Sequence, residues 1–164
     1  MEIKLTLALP RDALSVPVIR RTLTASLQVL GIDADVISDI EIALTEACTN
    51  VLDHAQGDQE YEVSAGIDGT LCVIEVVDRG ADHFDATLRG LGEAAGDAET
   101  GRGIQLMRAM VDRVTFVNKP TDGTVVHLEK QLTWAPGAVI DRLGPTHRGP
   151  WTNDEHLEDA PTPQ

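Results

Sequence analysis

Ile3, Leu5, Leu7 and Leu9 alternate with Glu2, Lys4, Thr6 and Ala8. That period of two predicts a half-buried strand over 2–9, which Pro10 ends. Val18, Ile19, Leu23, Leu27 and Leu30 then recur at helical spacing and predict a helix over 13–30. Ser15 is its candidate N-cap, Pro17 is tolerated in the first turn, and Gly31 is the candidate C-cap. Arg20 and Arg21 fall on its polar side. A second stripe of Ile37, Ile40, Leu44, Ala47, Val51 and Ala55, with Cys48 alongside, marks a long central helix through 39–55. Asp33 or Asp35 is placed to cap it. Tyr61, Val63 and Ala65 alternate, and Asp68-Gly69 is a tight-turn signal, so 60–67 and 71–77 read as a hairpin. The second of those strands is apolar at nearly every residue, as expected of a strand buried on both faces. Ile104, Met107, Ala109, Met110 and Val111 supply the inner surface of a helix over 104–111, followed by strands over 114–117 and 124–132. The expected fold is α+β: a two-layer α/β sandwich, with a mixed, mostly antiparallel sheet and helices on one face.

Composition narrows this. The chain has 164 residues and 42% hydrophobic content, enough for one domain with a sizeable core. Aromatics are only 3%, so that core must be aliphatic. From Trp134 onward Pro136, Pro145, Pro150, Pro161 and Pro163 interrupt an acidic stretch without apolar periodicity. The domain is therefore expected over 1–132, and a flexible acidic tail over 133–164. The net charge of −14 argues against nucleic acid or an anionic membrane as a direct partner, and favours a basic patch on another protein. The beginning of the chain lacks the pattern of a signal peptide, and no apolar run approaches a membrane span. Cys48 and Cys72 lack metal-ligand spacing and read as reduced core thiols. The expected location is cytoplasmic.

Chemistry enters on the polar arc of the central helix, at Asp39, Glu46, Asn50 and Asp53. Glu46 and Asn50 are four apart and so are neighbours on one face. An amide oxygen can ligate Mg²⁺ on a phosphate, and a carboxylate one turn away can orient or deprotonate a nucleophile. An ordinary solvated helix face has the same look. Two later stretches tip the balance. Val73-Ile74-Glu75-Val76-Val77-Asp78-Arg79-Gly80 is a strand that runs into an Asp-x-Gly turn. Gly101-Arg102-Gly103 is placed to open the helix that follows, where backbone amides and the helix dipole favour phosphate oxygens. Arg102 reads equally as a phosphate contact or a solvent-facing side chain. Between them, 85–100 carries Gly90, Gly92 and Gly96 and has the composition of a functional loop.

In this order the segments resemble the N, G1 and G2 boxes of the Bergerat, or GHKL, ATPase fold shared by gyrase, Hsp90, histidine kinases and MutL. TEACTNVLDHA at 45–55 and GRGIQLMRAMVDRVTF at 101–116 look especially like the small anti-sigma factor serine/threonine kinases of bacteria. The resemblance extends over about residues 1–131. It implies an ATP-binding regulatory protein that uses ATP and Mg²⁺ to phosphorylate a Ser or Thr of an anti-anti-sigma-type partner, with sequestration of a sigma factor as a second activity. It implies Glu46 as general base, Asn50 as the Mg²⁺ ligand, and Asp78 as acceptor for the adenine amino group with Gly80 beside it. Gly101, Arg102 and Gly103 would lie at the phosphates, 85–100 would be the ATP lid, and the protein would be a homodimer.

The chain departs from the family at one position. Asp82 stands where the second glycine of Asp-x-Gly-x-Gly belongs, followed by His83 and Phe84. Its charge is unfavourable near a triphosphate unless it points away or faces Mg²⁺. The alternative is therefore a non-catalytic partner-binding module on the same fold, with ATP binding weak or lost. The ATPase half of a histidine kinase fits less well, because no separate phospho-acceptor domain is present in the sequence.

Overall fold

Strand β1 (Glu2–Pro10) follows the alternation of its sequence: Leu9 is buried, Ile3, Leu5 and Leu7 are half-buried, and Lys4, Thr6 and Ala8 are exposed. The computed structural model describes residues 2–54, 60–78, 98–119 and 123–138. After β1 come α1 (Ser15–Leu30), α2 (Ala34–His54), β2 (Glu60–Asp68), β3 (Leu71–Asp78), α3 (Ala98–Met110), β4 (Arg113–Lys119) and β5 (Gly123–Gln131). The strands form one sheet in the order β1-β2-β3-β5-β4, and all four pairings are antiparallel. A mixed, mostly antiparallel sheet was expected, and no parallel pairing occurs among the described strands. The β4-β5 hairpin folds back so that β5 lies between β3 and β4, antiparallel to both.

The helices lie on one face. α2 sits in the middle, against β3, β5 and both other helices, while α1 covers β1 and α3 covers β4. Its stripe is interior: Ile40 and Leu44 are 1% exposed and Ala43, Ala47 and Cys48 are 0%. Burying each large aliphatic side chain of that set is worth roughly 1.5–3 kcal/mol. Both cysteines are buried and unpaired with each other, and burial pushes each thiol up to about 12.

Local chemistry explains the helix ends. Gly31 takes a left-handed φ of 84°, and the amides of Gly31 and Ile32 return to Gln28 and Leu27, so α1 ends as its glycine suggests. The expected Ser15 cap is not made. Leu14 holds the N-cap position, its amide donating 2.7 Å to Asp12 Oδ1. Asp12 thus secures the entry to α1, and Ser15 turns inward. For α2, Asp33 rather than Asp35 is the cap, accepting the Asp35 amide at 3.2 Å.

Strand β3 departs from its reading as buried on both faces. Cys72, Ile74, Val76 and Asp78 are buried, whereas Leu71, Val73, Glu75 and Val77 are only half-covered, because none of the described helices lies on that side. The domain also continues past 132. Ile32 and Trp134 form a bridge, the Asp33 amide donates to Thr133 O at 2.9 Å, and the Ala135 amide donates to Gly31 O at 2.8 Å. Half-buried Trp134 and buried Ala138 dock 132–138 on the α1–α2 connection. The expected tail from 139 on lies outside the described residues.

Two ion pairs tie strands to their surroundings. Lys130 points to the helix side of β5, where its Nζ lies 2.8 Å from Asp39 Oδ2 and donates to Met110 O at 2.7 Å. It thereby joins the start of α2 to the negative end of α3. On the open face, His127 lies between Glu75 (3.2 Å from Nδ1) and Glu129 (3.0 Å from Nε2). The hydrogen bond that His127 donates to Glu75 chiefly raises its pKa, with Glu129 adding to this and partial burial opposing it. A raised folded-state pKa stabilises the fold fully below the unfolded value of about 6.5, and that increment disappears as pH climbs through the raised value. His127→Gln is therefore expected to lower the melting temperature near about pH 6 and to match the wild type near about pH 9, with about 1 kcal/mol or less at stake for a half-exposed cluster. A melting difference that stays constant with pH would sink this assignment.

Candidate functional site

The apolar stripe of α2 fixes where its polar arc must point. With Ile40, Leu44, Ala47 and Val51 committed to the sheet and core, Glu46 and Asn50 turn toward α3. There they meet Gly103. A Cβ on that glycine would lie 2.8 Å from Glu46 Oε2 and 3.6 Å from Asn50 Oδ1, so a side chain there would push the Glu46 carboxylate aside. Glu46 is half-buried. Asn50 is 5% exposed, and its amide nitrogen has no hydrogen-bond partner. A buried amide donor without an acceptor costs about 1–3 kcal/mol, so the site is incomplete without a ligand that accepts hydrogen bonds.

The glycines occupy different places from those expected. Gly101-Arg102-Gly103 was read as preceding the helix, but α3 begins at Ala98 and contains all three. Ile104, Met107 and Val111 are buried at 1%, 0% and 6% and anchor the helix. The cost of about 1 kcal/mol per glycine is too small to stop it propagating upstream of that anchor. The unsatisfied amides of a helix are its first four, which here include Gly101 but not Gly103. Gly103 instead provides the gap into which Glu46 and Asn50 fit. Arg102 is exposed.

Asp78, another of the expected site residues, lies at the end of β3. Asp78 is buried and faces the helices, in register with Tyr61, which is itself in register with Leu9. The Tyr61 hydroxyl is 2.7 Å from Ser15 Oγ, and burial pushes its pKa up to about 12. Asp78 forms an ion pair with Arg11, from the turn after β1. Their side chains are 11% and 4% exposed respectively, and burial lowers the arginine's pKa. The apolar pattern alone does not reveal Arg11 as a site residue. Carried two residues past Leu9, the alternation Ile3, Leu5, Leu7, Leu9 puts Arg11 on the helix side, but it does not mark Arg11 out from any other charged turn residue. Gly80, Asp82, His83, Phe84 and residues 85–97 of the expected lid over 85–100 lie outside the described residues, and 98–100 begin α3.

The donor set also bears on a metal. Among the described residues no cluster of three or more His, Cys, Asp or Glu is placed to hold one. Mg²⁺ that travels with a nucleotide needs no such cage, since phosphates and water supply most of its ligands. A buried amide beside a carboxylate, in a cradle kept open by a glycine, fits an ion of that kind.

Helices stacked on one face of an antiparallel sheet, with a carboxylate–amide pair on the middle helix opposed by a glycine of the next, define an α/β sandwich of the ATPase type. The profile of the histidine kinase-like ATPase domain matches residues 9–130, and the chain belongs to that family. It is 30% identical over 134 residues to a serine-protein kinase RsbW of Bacillus velezensis, across 76% of this chain and 82% of the relative. It is 33% identical over 127 residues to the serine-protein kinase RsbW of Bacillus subtilis, across 71% and 78%. It is also 33% identical over 108 residues to an anti-sigma F factor of Pasteuria penetrans, across 58% and 69%. Among solved structures, the RsbU and RsbW domains of Rv1364c from Mycobacterium tuberculosis share the fold with a TM-score of 0.60 at 20% identity, covering 79% of this chain and 32% of that larger one. No helix among the described residues is long and apolar enough to cross a membrane.

The close fit of Gly103 yields a sharp expectation. In Gly103→Ala the helix gains up to about 1 kcal/mol of propensity, while the new Cβ displaces the Glu46 carboxylate. The variant should melt within a few degrees of wild type yet lose about tenfold or more of its ATP-dependent activity. Unchanged activity in a folded variant would remove Gly103 from the site.

Proposed function

We propose that this protein transfers the γ-phosphoryl group of ATP to a Ser or Thr hydroxyl of an anti-anti-sigma-type partner, and that it also sequesters a sigma factor. The observation that carries this reading is the meeting of Glu46, Asn50 and Gly103 in one cradle. Glu46 takes the proton of the accepting hydroxyl as its oxygen bonds to the γ-phosphorus and the bond to the β-phosphate oxygen breaks, releasing ADP. Asn50 is the residue that would hold Mg²⁺, which when bound offsets negative charge on the phosphate oxygens. Asp78 receives the adenine amino group, with Gly80 beside it, and Gly101 and Arg102 face the phosphates at the start of α3. The relatives named serine-protein kinase and anti-sigma F factor support the partner class. The working form is a homodimer in the cytoplasm.

The test combines nucleotide titration with phosphotransfer. The purified chain should bind ATP in a Mg²⁺-dependent manner by calorimetry. Glu46→Ala should keep that binding and lose about 100-fold or more in partner phosphorylation, the range of a general base. Phosphorylation at the wild-type rate in that variant would remove Glu46 from the chemistry. No binding at millimolar ATP would leave the non-catalytic partner-binding module, for which Asp82 in place of glycine is the supporting feature.

A further inference from the structure

The guanidinium of Arg11 is enclosed at the base-binding end of the site, 4% exposed, with Asp78 as its ionic partner. Beyond that pairing, its Nε, Nη1 and Nη2 are all buried without a hydrogen-bond partner. A guanidinium carries five N–H donors, so most of its hydrogen-bonding capacity is unmet in a place where water does not reach. Nor is the side chain a loose surface arm. The Asp12 amide donates to Pro10 O at 2.8 Å, the Ser15 amide to Asp12 O at 2.8 Å, and the Leu14 amide to Asp12 Oδ1 at 2.7 Å. That compact turn fixes the backbone from which Arg11 reaches Asp78.

Neutralising Asp78 explains the ion pair but not the remaining buried donors. Their complement is a ligand that brings a hydrogen-bond acceptor next to a donor. Adenine has this order on its edge: the exocyclic amino group is a donor flanked on either side by a ring nitrogen acceptor. A carboxylate in contact with a guanidinium presents the matching acceptor and donor. We propose that Arg11 is a base-reading residue that donates to a ring nitrogen of adenine while Asp78 accepts from the adjacent amino group. This rests on the nucleotide reading of the site given above. It adds a specificity-determining residue from the β1–α1 turn, and it means that the base enters without burying an uncompensated carboxylate.

Guanine also offers an acceptor beside a ring N–H, so the decisive comparison uses analogues of a single base. Wild-type protein and Arg11→Met are titrated calorimetrically with Mg²⁺ and ATP, 1-deaza-ATP or 7-deaza-ATP, each analogue lacking one of the two ring nitrogens. One analogue should bind wild type about tenfold or more weakly than ATP, as expected for loss of a charge-assisted hydrogen bond. Arg11→Met should bind ATP and that analogue equally, both weakly. This coupling would not arise from a structural role alone. Should Arg11→Met fail to melt cooperatively because Asp78 is left without a counter-charge, Arg11→Met with Asp78→Asn removes both charges and is read the same way. Wild-type protein that binds ATP but is indifferent to both deletions, or an Arg11 variant that keeps the full penalty, overturns the role of Arg11 alone. Wild-type protein that binds no ATP overturns the nucleotide reading and this inference together.

Discussion

The burial of one stripe of α2 is the constraint on which the rest depends. Ile37, Ile40, Leu44, Ala47 and Val51 leave the helix a single rotation about its axis that keeps them all out of water. That rotation turns Glu46 and Asn50 toward α3. Truncating Leu44 to alanine would cost roughly 2–5 kcal/mol, comparable with the whole stability of a small domain. The orientation of the polar pair is thus held by forces much stronger than any the pair exerts itself. This separation of duties within one helix lets a buried amide keep an unsatisfied group: its cost is carried by the core.

The two ends of the sheet differ in how their charges are satisfied. At one end Lys130 has both a carboxylate and a helix-terminal carbonyl within hydrogen-bond distance, and it fastens β5, α2 and α3 together. At the other, Arg11 has an ionic partner but buried nitrogens without acceptors, and Asn50 likewise has an amide nitrogen without one. Buried polar groups are normally satisfied. Their concentration at the Asp78 end divides the sheet into an end that holds the fold and an end that awaits a ligand.

Much of this was legible in the sequence. The period-two strands, the α1 stripe with its terminal glycine, and the central helix appear where their patterns put them, because each depends on local spacing and on a face that must be buried. The failures share a different cause. Ser15 was read as a cap because its type suits one, yet its environment is set by Tyr61, 46 positions away. The apolar run of β3 suggested two covered faces, but the described helices all pack on one of them. The glycines of α3 looked like a boundary, but tertiary anchoring by Ile104 and Met107 outweighed their propensity. Glu46 and Asn50 were visible as a pair. Arg11 was not, since nothing local distinguishes it from other charged turn residues.

The electrostatics of the site follow from proximity rather than from total charge. With a Debye length of about 8 Å at physiological ionic strength, only charges close to the site act strongly on a nucleotide, whatever the chain's net −14. What counts is the local balance. Arg11 pairs with Asp78 at the end of β3, and Glu46 is the carboxylate of the α2–α3 cradle. On the proposed reading, an amide at position 50 suits that balance better than a second carboxylate. An aspartate there would bind a lone cation more tightly, but it would set two negative side chains against the phosphates and compete with them for the metal. A neutral oxygen ligand leaves most of the cation's charge available to the phosphoryl oxygens, where it lowers the barrier to transfer.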